Sequence, residues 1–237
     1  MTVLLRVSRL TAGYGDLQVL WGIDLQIGHG EWVAVIGSNG VGKSTLLKAI
    51  AGLLRPMDGS VQWQGRDVTS LSAAARVRCG ISLVPEGKRL FSGMTVRENL
   101  LMGAFARRDR AEARHDLEKV LTLFPALRDK TLQIAGTLSG GEQQMCALGR
   151  GLMARPQLLL VDELSFGLSP AVAAGLLEAL AGIVNDGVSL LLVEQDVRAA
   201  LKRAHQGYVV RGGQVVREGT GAELIADATI RKAYLGL

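Results

Sequence analysis

The stretch Gly37-Ser38-Asn39-Gly40-Val41-Gly42-Lys43-Ser44 has the spacing Gly-x-x-x-x-Gly-Lys-Ser/Thr, and it constrains the fold more than any other part of the chain. Its context gives the spacing its weight. An all-apolar run at 32–36 precedes it and reads as a buried strand; a helical pattern from 43 to about 54 follows and is ended by Arg55-Pro56. The glycines let consecutive backbone N–H groups turn toward one point, where the N-terminus of the next helix adds its positive dipole end. Such a cradle holds phosphate. Lys43 is then placed to reach β- and γ-phosphates, the Ser44 hydroxyl to ligate Mg²⁺, and Thr45 to line the same site.

A second strand-end site completes this chemistry. Leu158-Leu159-Leu160-Val161 is a short all-apolar run that delivers Asp162-Glu163 to the C-terminal edge of a sheet, where ligands of open α/β folds collect. Asp162 is expected to hold the Mg²⁺ sphere and Glu163 to polarise an attacking water, a role worth about 10²–10⁴ in rate. Residues 189–193 form another buried-strand run, and between them Ser169-Pro170 reads as a helix cap followed by a proline in the first turn. A βαβ unit is implied.

Around these sites the chain reads as one α/β unit. The first thirty residues alternate and turn often, which predicts antiparallel strands broken at Ala12-Gly13-Tyr14-Gly15. Residues 60–63 and 81–84 have strand character, 73–78 helical character, and 95–124 is rich in helix formers with acid–base spacings such as Asp116/Lys119. Residues 208–210 and 214–216 flank Gly212-Gly213 as a hairpin, and 229–235 reads as a short last helix. With 237 residues and 48% hydrophobic content the chain can bury one sizeable core.

Composition narrows the partners. The net charge of +5 is mild, and Arg76, Arg78, Arg107, Arg108, Arg110 and Arg114 are scattered, which argues against a nucleic-acid partner. Cys79 and Cys146 lie far apart without a metal-binding spacing and read as reduced thiols of a cytoplasmic protein. No apolar run reaches the roughly 20 residues that span a bilayer, and the opening MTVLLRVSRL lacks the length and cleavage site of a signal peptide. The most apolar stretch, 170–184, carries Glu178 and reads as a half-buried helix, so membrane association is expected to go through a partner. His29, His115 and His205 fall outside every motif and are assigned to surface or packing roles.

Leu138-Ser139-Gly140-Gly141-Glu142-Gln143-Gln144 first reads as the cap of a helix that continues through 145–153. Lying 23 residues before Asp162, however, it has the form of the ABC ATPase signature, and with residues 37–44 it makes the chain resemble ABC transporter ATP-binding subunits over nearly its whole length. More narrowly the chain resembles the branched-chain amino acid and related amide uptake type. That resemblance rests on Ala12-Gly13-Tyr14-Gly15, Leu83-Val84-Pro85-Glu86-Gly87-Lys88-Arg89, Phe91, Met94-Thr95-Val96, Glu98-Asn99-Leu100, Leu192-Val193-Glu194-Gln195 and Ala233-Tyr234-Leu235-Gly236.

The resemblance implies an α/β fold, a P-loop NTPase core of ABC ATPase type with an N-terminal antiparallel β lobe and a helical insert subdomain. Residues 1–86 and 155–237 would form the nucleotide-binding core with its β lobe, and 87–154 the helical signature subdomain. It also implies ATP and Mg²⁺ as ligands and a head-to-tail dimer with a second ABC ATPase subunit, identical or a paralogue. Ser139, Gly140 and Gly141 would serve the ATP held by the partner. Tyr14 matches the aromatic that stacks on adenine, worth about 1–3 kcal/mol per stacked base in nucleic-acid systems. Glu86 stands where a loop glutamine senses Mg²⁺ and the permease, and Gln195 stands at the switch histidine. Transmembrane permease subunits would dock on the helical insert at 89–95, a periplasmic or extracellular solute-binding protein would act through them, and the subunit would lie on the inner face of the cell membrane.

Glu86, Gln195 and the aspartate-free loop Leu164-Ser165-Phe166-Gly167-Leu168-Ser169 depart from the widest ABC pattern, and Leu164 departs from the proline usual in the uptake type. Because a neutral amide at 195 lacks the charge of an imidazolium, slower hydrolysis in this subunit's own site is expected. The competing readings are a regulatory subunit with weak hydrolysis and a non-transport ABC ATPase acting on DNA or ribosomes; the latter usually has coiled-coil arms or a second cassette, for which this chain has no room.

Overall fold

Two sheets organise the chain in a computed structural model that describes residues 2–107, 109 and 112–235. The first is antiparallel, with β1 (Val3–Tyr14), β2 (Leu17–Gly28), β4 (Asp58–Trp63) and β5 (Arg66–Asp67) in the order β2-β1-β4-β5. The second is ordered β10-β9-β3-β8-β7-β6, from β3 (Trp32–Ile36), β6 (Ile81–Val84), β7 (Leu158–Asp162), β8 (Ser189–Glu194), β9 (Gln206–Arg211) and β10 (Gln214–Gly219). Only the β9–β10 hairpin is antiparallel there.

All residues of β3, β7 and β8 are buried, so both faces of this sheet need cover. Alternate side chains divide between two cores. Ala34, Ile36, Leu159, Val161, Leu190 and Leu192 pack on the side of α5 (Gly140–Leu152) and α6 (Pro170–Asn185). Val33, Val35, Leu158, Leu160, Leu191 and Val193 face α1 (Lys43–Ile50) and the antiparallel lobe. The sheet is thus the wall between helical and β layers.

Several boundaries differ from expectation. The first strand is not broken at residues 12–15: β1 runs through Tyr14, with Gly13 paired to Gln18 and Tyr14 to Leu17, and the turn falls at the Gly15-Asp16 tip. The 95–124 segment divides into α3 (Val96–Gly103) and α4 (Ala113–Leu123). A Cβ at Gly103 would lie 1.9 Å from the Arg150 carbonyl oxygen, so α3 crosses α5 in backbone contact there. Arg107 then braces the connection by donating to Asp116 Oδ2 (2.6 Å) and the Met153 carbonyl (2.9 Å). The last helical turns are Ala228–Ile230 followed by a wider π turn over Arg231–Leu235. Cys79 and Cys146 are unlinked, and burial pushes the Cys146 thiol up to about 11. Of the scattered arginines, Arg108 and Arg110 lie outside the described residues.

Arg76 is not a surface charge at all. It sits on α2 (Ala73–Cys79) at 1% exposure, and its guanidinium donates to the carbonyls of Ala49 (2.7 Å), Ile50 (2.6 Å) and Thr69 (2.8 Å). Two of these are final carbonyls of α1, which therefore ends at Ile50 and not near residue 54, while Leu53 N–H reaches back to the Lys48 carbonyl at 2.9 Å. Arg76→Met keeps the aliphatic stem and strands the Ile50 and Thr69 carbonyls, each worth about 1–3 kcal/mol when buried without a partner, while Ala49 keeps the Gly52 N–H. A loss of roughly 3 kcal/mol or more is expected from the urea midpoint; an unchanged midpoint would contradict the capping role.

Candidate functional site

Strand register brings the site together. Ile36 is paired with Glu194, and Asp162 with Val193, so the residues that follow β3, β7 and β8 leave the sheet side by side at one edge. After β3, residues 37–42 turn into α1, whose cap Gly42 has a left-handed φ of 106° and leaves no space for a side chain: a Cβ would lie 2.6 Å from Leu20 Cδ2. No side chain caps α1, and its first turn has no acid. By contrast Thr95/Glu98, Ser139/Glu142 and Thr220/Glu223 make capping boxes at three other helices. The N–H groups of the first turn of α1 are therefore available to an anion, as sequence and dipole require.

Lys43 is buried, and its ammonium donates to the carbonyls of Gly37 (2.8 Å) and Ser38 (3.0 Å). Desolvation lowers its pKa, opposed by Glu163, Asp162, Glu194 and Glu86. Ser44 Oγ donates to Asp162 Oδ1 at 3.0 Å. Burial, reinforced by Glu163 and Glu86 and opposed by the Ser44 hydrogen bond, pushes the Asp162 carboxyl up to about 6. A buried carboxylate beside a hydroxyl is a hard-oxygen pair that fits Mg²⁺. No cluster of three or more His, Cys, Asp or Glu able to hold a metal occurs among the described residues, so further ligands would have to come from phosphate and water.

Glu163 has a left-handed φ of 49°, a strained conformation for a residue with a side chain. Its N–H donates to the Val193 carbonyl at 2.9 Å, and its Oε2 accepts from Gln195 Nε2 at 2.7 Å. The two residues assigned to water activation are thus in contact across neighbouring strand ends.

Tyr14 stands at the tip of the β1–β2 hairpin with 46% of its surface exposed. Its hydroxyl lies 3.5 Å from Thr45 Oγ1 and accepts from Lys48 Nζ at 3.3 Å, while that ammonium lies 5.6 Å from the ring centroid. The Thr45 hydrogen bond lowers the Tyr14 pKa, opposed by burial and aided by Lys48. A cleft of about 550 Å³ runs from this ring to the strand ends, lined by Tyr14, Asn39, Gly40, Gly42, Lys43, Ser44, Thr45, Glu86, Glu163 and Gln195. Leu17, Val19 and Phe166 line it too and carry no motif. Gly37 and Ser38 meet Lys43 through their carbonyls, and Val41 packs against the β-lobe core.

Ser139, Gly140 and Gly141 do not line this cleft. They form the capped start of α5, where Ser139 Oγ accepts from Glu142 N–H and Glu142 accepts from Ser139 N–H; the positions beside Gly140 and Gly141 face Lys88, Leu168 and Val172. No local spacing in the sequence singles out Glu194, although its buried carboxylate organises the neighbouring loop. His205, as expected, serves packing, accepting from the Trp32 N–H through Nδ1 at 2.9 Å.

Residues 20–165 match the family model described as ABC transporter. The chain is 42% identical to the high-affinity branched-chain amino acid transport ATP-binding protein BraG of Pseudomonas aeruginosa over 98% of this chain and 100% of the relative. It is 37% identical to a probable branched-chain amino acid transport ATP-binding protein, LivF, of Archaeoglobus fulgidus over 99% of both chains. Among solved structures it is similar to the ADP conformation of an ATP-binding cassette of an ABC transporter, with a TM-score of 0.87, 26% identity and 100% of both chains covered.

The charge on Asp162 has a consequence for stability. Its raised pKa means that the folded state holds the proton more tightly than the unfolded chain, so the carboxylate costs stability above about pH 6 and nothing near pH 4. Without nucleotide or divalent cation, Asp162→Asn should therefore be more stable than the parent at pH 8, by on the order of 2 kcal/mol. The gain should fade as pH drops through about 6. Denaturant titrations at pH 8 and near pH 4 check this, and a gain that does not change between them would contradict it.

Proposed function

The chain belongs to the ABC transporter family of ATP-binding, ATP-hydrolysing subunits, and we propose that it energises an importer of branched-chain amino acids or related small solutes. The observation that carries the catalytic reading is the pair of contacts flanking Lys43, Ser44–Asp162 on one side and Gln195–Glu163 on the other, at the ends of adjacent parallel strands. In this reading the N–H groups of residues 37–44 and the Lys43 ammonium hold the β- and γ-phosphates, and the Tyr14 ring, fixed by Thr45 and Lys48, stacks on adenine. Ser44 and Asp162 hold Mg²⁺, which when bound neutralises phosphate charge as the γ-phosphoryl group departs. Glu163 accepts a proton from the attacking water, with Gln195 orienting it through the Nε2 contact.

Residues 1–86 and 155–237 act as the nucleotide-binding core with its β lobe, and 87–154 as the helical signature subdomain. That Ser139, Gly140 and Gly141 do not line the chain's own cleft supports a role on the ATP held by a second ABC ATPase subunit arranged head to tail. ATP then closes the dimer, and hydrolysis with product release reopens it, driving permease subunits between access states. No helix among the described residues is long and apolar enough to cross a membrane, so attachment to the cytoplasmic face of the membrane goes through those permease subunits. A solute-binding protein on the other face delivers the solute to them. The similarity to BraG and LivF supports the import reading.

Gln195 brings a neutral amide and no positive charge to the transition state, so the site built on this chain's residues 37–44 turns over more slowly than the opposite site when the second subunit is a paralogue. In the reconstituted transporter, Glu163→Gln should lower steady-state ATP hydrolysis less than the equivalent change in the paralogue. Gln195→His should alter the rate without abolishing nucleotide binding. An equal or larger loss from Glu163→Gln would overturn the asymmetry.

A further inference from the structure

Glu194 is the last residue of β8, 2% exposed, and no cation forms an ion pair with it among the described residues. Its carboxylate instead accepts hydrogen bonds from the Ser165 N–H (2.8 Å), the Ser165 hydroxyl (2.8 Å) and the Gln195 N–H (3.1 Å). Burying an unpaired carboxylate is costly, and the cost is visible as a pKa raised chiefly by desolvation. An amide would be cheaper to bury but could not serve these partners. A carboxylate accepts at both oxygens, whereas a glutamine would turn its NH₂ toward one of the two backbone N–H donors.

What the carboxylate fixes is the backbone beside Glu163. Glu163 is held in the left-handed region, which persists only when its surroundings over-determine it. One restraint is its own N–H on the Val193 carbonyl; two residues on, the next is Ser165 on Glu194. Glu194 and Gln195, consecutive at the end of β8, therefore grip the 163–165 segment twice, Gln195 by the Glu163 side chain and Glu194 by the Ser165 backbone and hydroxyl. The same loop continues to Phe166 in the nucleotide cleft and to Leu168 beside Gly140 of the signature.

We propose that Glu194 is a positioning residue for ATP hydrolysis, clamping Ser165 so that the strained Glu163 backbone aims its carboxylate at the attacking water. This rests on the assignment of Glu163 as the base. The effect should fall on the chemical step and spare ATP binding, because the Lys43 and Tyr14 contacts are made by other segments.

The test reads this chain's site alone, in the reconstituted transporter whose second ATPase subunit has its own catalytic glutamate replaced. Glu194→Gln should lower kcat about 10- to 100-fold, since misplacements of about 1 Å can cost that much, with KM for MgATP within about twofold of the parent. Ser165→Ala should lower kcat in the same direction by less, and adding it to Glu194→Gln should bring little further loss, because both loosen the same Ser165–Glu194 clamp. If Glu194→Gln does not fold, Ser165→Ala alone decides. Parental kcat in the folded variants, a rise in KM with kcat intact, or fully additive losses would overturn the proposal. Glu163→Gln in the same complex separates the two readings. If it leaves turnover intact, the base assignment fails; if it abolishes turnover while Glu194→Gln does not lower kcat, only the clamp fails.

Discussion

Ladder pairing among β3, β8 and β7 sets the level at which each strand ends, and every contact in the site inherits that level. A strand's side chains alternate with period two, so a one-residue slip would turn the buried set of β7 to the opposite core. Leu158 and Leu160 would exchange sides with Leu159 and Val161, and Asp162 would leave Ser44. The site's chemistry therefore depends on this one register. The two hydrophobic layers on either side of this sheet also desolvate Lys43, Asp162 and Glu194, which shifts their pKa values away from the ordinary ones.

Charge at this edge is balanced for a ligand and not for the protein alone. Asp162, Glu163, Glu194 and Glu86 all act on the buried Lys43 ammonium, and among the described residues Asp162 has a hydroxyl and no ion-paired cation for a partner. The open N-terminus of α1 adds unpartnered N–H groups a short distance away. A polyanion brought with a divalent cation satisfies both sets together. That is the physical reason for reading the cleft as a nucleotide site, beside the family membership.

The parts legible in the sequence were those whose signal is local. Residues 37–44 and the carboxylates after β7 follow from short spacings, and the cap at Ser139 from a serine three residues ahead of Glu142. The continuation of β1 through Tyr14 was hidden by Gly13, which reads as a break but pairs across the hairpin with Gln18. Arg76 and Glu194 were missed for a different reason. Their partners are carbonyls and N–H groups of residues distant in sequence, and composition cannot show that a charged side chain is buried to cap a helix or hold a loop. Leu17 and Phe166 likewise enter the cleft only through tertiary placement.

In the proposed arrangement one chain binds ATP through its strand-end cleft while its signature serves the ATP of another. Ser139→Arg tests it most directly, because Ser139 lies outside the chain's own cleft. The decisive comparison sets the MgATP dissociation constant of the isolated chain, measured by titration calorimetry, beside ATP hydrolysis of the assembled transporter. An unchanged dissociation constant and a loss of hydrolysis of about tenfold or more are expected, because the proposed signature contacts to the partner's γ-phosphate would be lost. A weakened dissociation constant in the isolated chain, or full hydrolysis in the assembly, would contradict it.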